Sequence, residues 1–163
     1  MADEYTTIFE ITNKGFTWWF ALVGLLPAIP GLALWVFRKG HQESRRVRWG
    51  KYFLPGFAII WLSLATVPMW LEYTRLQSAY RHGSFSIVQG QVEDFHPMPP
   101  QGHSAECFSV EHQRFCYGDN IISAGFNNDF AHGGPIRAGI PVRIAYVGID
   151  ILKLEVRADS ISK

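Results

Sequence analysis

The chain has 163 residues, a formal net charge of +1 and a mean hydropathy near zero. This length suits one small domain with an anchor, and the small net charge excludes a general nucleic-acid binder, which carries a clear basic excess. The average hydropathy hides two regions. Residues 16–71 are dominated by apolar residues with Gly and Pro, whereas the residues after them have the composition of a water-exposed domain.

Two uncharged runs lie in the first half of the chain, at residues 16–37 and 52–71. A helix needs about 20 apolar residues to cross the roughly 30 Å hydrocarbon core of a bilayer, so each run is long enough to span it. Trp and Tyr residues mark the ends of the runs, as at a membrane–water interface. Since residues 1–15 lack the basic stretch of a cleavable signal peptide, we expect a short outer tail there, followed by a retained hairpin of two transmembrane helices.

The segment between the runs, residues 38–51, carries six basic residues, whereas the flanks on the other side carry three. The positive-inside rule therefore places this loop in the cytoplasm and both termini outside. The basic run could also bind anionic lipid or a partner, but a short loop between two spans needs charge to fix topology in any case. The residues expected to set topology or contact lipid are Arg38, Lys39, Arg45, Arg46, Arg48 and Lys51.

Residues 72–82 are expected to continue the second helix as a short stalk, and residues 83–163 show the two-residue periodicity of strands with one buried face. Strands are predicted at residues 84–95, 107–110, 114–117, 141–146 and 151–156. Five short strands indicate a small, partly open β-barrel of the OB or SH3-like kind, because a two-sheet sandwich needs about seven strands. The predicted fold class is membrane α + β: a two-helix transmembrane hairpin followed by a five-stranded barrel outside the membrane.

The two cysteines, Cys107 and Cys116, fall in the second and third predicted strands. A two-residue turn at residues 111 and 112 makes Val110 and Gln113 a hydrogen-bonded pair, and counting back makes the cysteines a non-hydrogen-bonded pair. Cα atoms in such a pair are about 4.5 Å apart, within the range of a disulfide. We therefore predict a disulfide, which is stable outside the cytoplasm. The alternatives are two separate thiols or a metal pair, although no third and fourth ligands lie nearby for zinc.

Two loops are the natural place for recognition: the Pro/Gly-rich residues 96–104, and residues 120–134 within the excursion at residues 118–139, which is rich in Gly and Asn. Phe126 and Phe130 could anchor a partner there, although a role as plugs of the barrel end is favoured. The loop histidines follow no catalytic or metal motif, and scattered loop histidines are usually solvated. We therefore expect no catalytic residue, metal or cofactor. The candidate binding residues are His96, His103, Phe126, Asp129, Phe130 and His132.

Short motifs run through the predicted domain: Val88-x-Gly90-x-Val92, Phe108-Ser-Val110, Phe115-x-Tyr117 and the stretch at residues 139–146. With a closing apolar strand, they resemble a broad group of uncharacterised bacterial membrane proteins that join one or two helices to a small β-barrel domain of unknown function. The resemblance covers residues 85–156. It implies a barrel on the bacterial inner membrane and carries no catalytic residue with it.

The leading hypothesis is a membrane-tethered, non-enzymatic interaction module whose barrel loops bind a protein partner or an envelope component. A second hypothesis is an accessory subunit of a larger membrane complex, with a packing surface formed by Trp61, Gly24, Ala28 and Gly31. A third is a metal-dependent sensor or enzyme that uses the loop histidines and Asp129. The expected partners are the lipid bilayer and a protein in or at the membrane, and not a nucleic acid.

Overall fold

A computed structural model describes residues 4–16, 22–26, 28–37, 45–99, 104–118, 121 and 123–160. The chain forms two compact units. The helical unit is Phe16–Leu71, and the β unit combines Met1–Gly15 with Glu72–Lys163. The β unit is therefore discontinuous in sequence, because the whole helical unit separates its N-terminal segment from the rest.

The helical unit contains a 3-10 turn at Val23–Leu25, helix α1 at Ala28–Phe37 and most of helix α2, which spans Arg45–Arg81. Pro30 lies in the first turn of α1, where a missing backbone N–H has no helical partner to lose. The two helices pack closely at Gly31, since a Cβ atom built there would lie 2.8 Å from Cδ of Pro55. A larger residue at this position would push the helices apart.

Among the described residues, one helix is long and apolar enough to cross a membrane, judged by length and composition: the part of α2 at Tyr52–Arg81. Most of its large apolar side chains are exposed, with Tyr52 at 70%, Phe53 at 64% and Leu64 at 72%. Apolar surface exposed in this way is unfavourable in water and favourable in hydrocarbon. The core helix of a soluble protein would bury these side chains instead.

The predicted hairpin of two transmembrane helices is wrong. Within residues 16–37 the structure describes only the 3-10 turn and the ten-residue α1. At 1.5 Å per residue α1 is about 15 Å long, too short for a hydrocarbon core of roughly 30 Å. The run is apolar throughout, but its described part forms two separate short segments rather than one long helix.

Four of the six basic residues expected to set the topology are among the described residues. Arg38 and Lys39 are outside the described residues. The other four form the beginning of α2: Arg45, Arg46, Arg48 and Lys51. Half of the predicted loop at residues 38–51 is therefore helical, and α2 extends beyond the apolar run at its N-terminal end. The role of these residues in topology stays a prediction.

The β unit is built on a six-stranded antiparallel sheet with the spatial order β1-β6-β5-β2-β3-β4. Its strands are β1 (Tyr5–Glu10), β2 (Ser86–His96), β3 (Glu106–Val110), β4 (Gln113–Tyr117), β5 (Pro141–Val147) and β6 (Asp150–Arg157). Strands form at all five predicted places, with ends that differ from the predicted ones by at most two residues. β1 is an additional strand, within the segment expected to be an outer tail.

The predicted five-stranded barrel is wrong, because the sheet has six strands and is open: its edge strands β1 and β4 do not pair with each other. β1 pairs instead with β6, placing Tyr5 opposite Arg157. At the start of β6, the carbonyl of Leu152 accepts from the N–H of Ile11, and that of Ile151 accepts from the N–H of Phe126. β6 is therefore hydrogen-bonded by β1, Ile11 and Phe126, all of which lie outside the five predicted strands.

Two groups of buried side chains hold the β unit together. Ile11, Leu76 and Leu152 form the smaller cluster. Since Leu76 lies in the last part of α2 and is fully buried, residues 72–81 pack against the rest of this unit. The main core draws on β2 to β6 and on the loop between β4 and β5: Val92, Phe108, Val110, Phe115, Tyr117, Phe126, Ile136, Val142, Ile144, Ile151, Leu154 and Val156.

The predicted disulfide is confirmed. β3 and β4 form a hairpin in which Cys107 lies opposite Cys116 and Val110 lies opposite Gln113, the register expected from a two-residue turn. The Cα atoms of the two cysteines are 4.2 Å apart, and their sulfur atoms are bonded. A structural disulfide is typical of an oxidising compartment outside the cytoplasm.

Candidate functional site

The loop between β4 and β5, described at residues 123–139 and called loop 123–139 here, is anchored in the main core. Phe126 and Ile136 are buried there. The ring of Phe126 packs edge-on against Phe9 at 5.5 Å between centroids and lies 5.1 Å from Tyr117. These two apolar anchors fix both halves of the loop, so the segment between them is held against the sheet.

Glu106 is fully buried beneath this loop and bonds to it directly. One carboxylate oxygen accepts the hydroxyl of Tyr117, its cross-strand neighbour in β4, and the other accepts the backbone N–H of Phe130 at 3.1 Å. Burial, with the hydrogen bond to Glu106, raises the pKa of Tyr117 well above its usual value. Tyr117 therefore remains a donor at any physiological pH, and Glu106 ties the loop to the hairpin.

Asp129 is the second fully buried carboxylate. It caps a short 3-10 turn at Phe130–His132, because its Oδ1 accepts the N–H of His132 at 3.0 Å. The ring Nδ1 of His132 lies 2.8 Å from the same oxygen, while 58% of the His132 side chain is exposed. The carboxylate thus faces inward, and the imidazole covers it at the surface.

Gly134 allows the turn to fold back tightly on itself. Its N–H donates to the carbonyl of Asp129 at 2.6 Å. A Cβ atom at this position would lie 2.3 Å from the carbonyl oxygen of Asn128, a separation that side chains do not tolerate. The preceding Gly133 has a φ of +86°, which favours glycine.

Lys14, which lies in the N-terminal segment of the β unit, binds the first part of loop 123–139. Its ammonium donates to the carbonyl of Gly125 at 2.8 Å, to that of Ser123 at 3.3 Å and to Oδ1 of Asn127 at 3.2 Å. Burial lowers the pKa of this ammonium. Lys14, which the sequence places among the residues flanking a span, thus acts as an internal strap of the β unit.

The surface of the loop presents an aromatic ring and a cation. Phe130 has its backbone fixed by Glu106, but its side chain is turned outward and is 43% exposed. The guanidinium carbon of Arg137 lies 3.7 Å from the centroid of that ring. Nη1 of Arg137 donates to the carbonyls of Gly134 at 2.6 Å and Ile136 at 2.7 Å. Phe95 on β2 lies 6.4 Å from Phe130, edge-on. We call Phe95, Phe130 and Arg137 the Phe–Arg surface.

The buried groups are arranged for structure rather than for proton transfer. Both oxygens of Glu106 already accept hydrogen bonds from within the fold, and the Tyr117 hydroxyl, whose pKa is raised, is a poor acid. Among the described residues, no three side chains of the His, Cys, Asp and Glu types come together in a way that could hold a metal ion. The arrangement positions a surface loop.

The six candidate binding residues are dispersed by the fold. His96 ends β2, with its Nδ1 2.7 Å from the carbonyl of Asp94, and His103 is outside the described residues. Of the other four, Phe126 belongs to the core, Asp129 and His132 form the cap, and Phe130 belongs to the exposed surface. The structure brings together three of the six, at positions 129, 130 and 132.

Sequence reasoning missed Glu106, Tyr117 and Arg137. The alternation of β3 held the clue for the first of them, since Glu106 shares a face with Phe108 and Val110, both core residues. A charged residue on a core face must find partners, because an unpaired buried charge is strongly unfavourable. Extending the hairpin register by one pair beyond the cysteines places Tyr117 opposite Glu106. No comparable sequence signal identifies Arg137.

No protein-family model, no curated protein and no solved structure matches this chain. The functional interpretation therefore depends on the geometry of the molecule itself. Its most informative part is the Phe–Arg surface, together with the buried carboxylates that support it.

Proposed function

We propose that the chain is a membrane-tethered, non-enzymatic interaction module that binds a protein partner through the Phe–Arg surface. One observation carries the proposal: the exposed ring of Phe130 sits on a turn fixed from below by two fully buried carboxylates, Glu106 and Asp129. Burying charge is unfavourable unless every charge finds partners. Here the partners are backbone and side-chain groups of one surface turn, which gives that turn a defined shape.

The composition of the surface supports the same proposal. Aromatic residues and Arg are enriched at the centres of protein interfaces, and rigid anchors bind with a smaller entropy loss. Phe130 and Arg137 are not needed to cover the core, because Phe126 and Ile136 already do so. Phe130 and Arg137 project away from the buried cluster and are available to a partner.

The proposed location is the outer face of a bacterial cell membrane, with α2 as the tether. The disulfide supports a non-cytoplasmic β unit. Because β1 pairs with β6, residues 5–10 belong on the same side as the sheet. The bacterial assignment depends on the resemblance at residues 85–156.

A labelling experiment tests this location. After reduction, a membrane-impermeant maleimide should label Cys107 and Cys116 in intact cells. Labelling only after permeabilisation would contradict the location.

Photo-crosslinking from the full-length chain in its native membrane tests the function. Benzoylphenylalanine at position 130 keeps the aromatic ring, and it should give discrete cross-linked species. Position 87 is the matched control, because Ile87 is 54% exposed on β2 but is not part of the Phe–Arg surface. Adding Glu106→Ala, which releases the turn, should abolish the cross-links from position 130. Equal cross-linking from positions 130 and 87 would refute the proposed surface.

A second candidate, an accessory subunit of a larger membrane complex, is favoured by a row of rings on α2. Phe53, Phe57 and Trp61 follow one another at four-residue intervals, with centroids 6.3 Å and 6.2 Å apart, and all three are exposed. Such a row is a packing surface for another membrane helix. Gly31, proposed for that role from the sequence, instead contacts Pro55 within the chain. Extraction in mild detergent as a lone species would exclude this candidate.

A further inference from the structure

The guanidinium of Arg137 is held in a fixed orientation. Phe130 supports its flat face, and Nη1 donates to two carbonyls, those of Gly134 and Ile136. A guanidinium has five N–H bonds, and the two on Nη1 are accounted for by these carbonyls. The other three, on Nε and Nη2, make no hydrogen bond to the described residues. Arg137 thus keeps one complete edge, Nε with Nη2, at an exposed position.

That edge has a specific chemical complement. Two parallel N–H groups of a guanidinium match the two oxygens of a carboxylate, and such bidentate pairs are shorter and stronger than neutral hydrogen bonds. An arginine that is already immobilised loses little side-chain entropy when a ligand binds. The Phe130 ring beside it offers apolar contact but no hydrogen bond.

We propose that Arg137 binds an Asp or Glu side chain of the protein partner through its Nε–Nη2 edge, while an apolar side chain next to that carboxylate packs on Phe130. This inference depends on the proposed function, because it specifies the partner of the same surface. The partner is thereby defined by its chemistry, an acidic residue adjacent to an apolar one.

The apolar ring beside Arg137 favours a protein carboxylate over a free anion, because the guanidinium carbon lies 3.7 Å from the centroid of Phe130. A ligand that also covers Phe130 gains apolar burial that free phosphate cannot supply.

NMR of the full-length protein in detergent micelles tests the inference through the Nε–H resonance of Arg137. The probes are N-acetyl-Leu-Glu-amide, its uncharged match N-acetyl-Leu-Gln-amide, and inorganic phosphate. The Glu probe should saturate the resonance shift at a concentration about tenfold lower than the Gln probe, as expected for one charge-assisted pair. Phosphate should bind more weakly than the Glu probe.

Two variants complete the test. Arg137→Lys keeps the charge but loses the fork, so the preference for Glu over Gln should fall to about threefold or less, read from peptide resonances. Phe130→Ala should weaken the binding of both peptides by the same factor.

The inference would be overturned if the two peptides bound equally to the wild type, or if phosphate bound as tightly as the Glu probe. If cross-links from position 130 persist in that case, the interaction module stands without the carboxylate. If cross-links are absent while the Glu preference is present, the proposed function fails instead.

Discussion

The β3–β4 hairpin and loop 123–139 are neighbours in sequence, yet they are held in place by different kinds of contact. In the hairpin every cross-strand partner lies within a dozen residues, and Cys107–Cys116 closes it covalently. In the loop the polar partners come from far along the chain. Glu106 binds a backbone N–H 24 residues away, and Lys14 reaches carbonyls more than 100 residues away.

The difference reflects how each segment satisfies its backbone. The hairpin pairs its N–H and C=O groups in a ladder, so its side chains are free to form the core. The loop has no ladder, and its backbone groups need other acceptors and donors once they are covered. Buried carboxylates and an ammonium supply these partners. Local pairing therefore fixes the hairpin, and long-range polar contacts fix the surface that we assign to binding.

The largest expected effect follows from removing the group at which the two regions meet. Glu106→Ala leaves the buried Tyr117 hydroxyl and the partly buried Phe130 N–H without their acceptor. We therefore expect the free energy of unfolding to fall by about 3 kcal/mol. Hydrogen exchange should speed up most at residues 129–134, while the hairpin amides keep more of their protection. Urea unfolding of the purified full-length chain measures the first effect.

Glu106→Gln is the matched control, because it keeps one carbonyl acceptor in the same volume. Its cost should be about half that of the alanine variant, near 1.5 kcal/mol. Should both variants unfold within about 0.5 kcal/mol of the wild type, Glu106 would not be the link between hairpin and loop.

The disulfide tests the other side of the comparison. Its sulfurs belong to residues nine positions apart, so the Cys107→Ala/Cys116→Ala variant should lose about 2.5 kcal/mol of stability through the freer unfolded chain. The hairpin register follows from the turn, so the native exchange pattern of loop 123–139 should remain. A reductant should lower the melting temperature of the wild type but leave that of the variant unchanged. Exchange that rises in the loop as much as in the hairpin would contradict a local role.

The same contrast explains what the sequence could predict. The Cys107–Cys116 pairing required only a turn length and a two-residue period, both of which are local. The role of Glu106 required a loop residue 24 positions away, and no local pattern specifies that partner. Phe126 and Phe130 are indistinguishable by residue type and lie four positions apart, but one is buried and the other exposed, because Asp129 turns the chain between them.

Two errors of architecture have a related origin. β1 is rich in β-branched and aromatic residues, which favour strands, but its partner β6 lies about 150 residues away and its six residues show no clear alternation. Counting strands without it favoured a five-stranded barrel. For residues 16–37, hydropathy measures the apolar content of the run and not the length of the helix that it forms, and the backbone of the described part forms a 3-10 turn and the ten-residue α1. Distance along the chain limited the first prediction, and backbone geometry limited the second.

The smallest expected effect concerns the turn of the hairpin, where local geometry favours a different residue. Glu111 has a φ of +56°, a conformation that is unfavourable for a residue with a side chain and open to glycine. Glu111→Gly should therefore raise the free energy of unfolding by about 0.5 kcal/mol, since relief of backbone strain exceeds the added entropy of the unfolded chain. The midpoint of urea unfolding should move upward at a constant slope. His112→Gly is the control, because the φ of His112 is not positive, and it should lower the midpoint. If Glu111→Gly lowers it as well, side-chain contacts of Glu111 outweigh the strain, and the register of the hairpin depends on more than its turn.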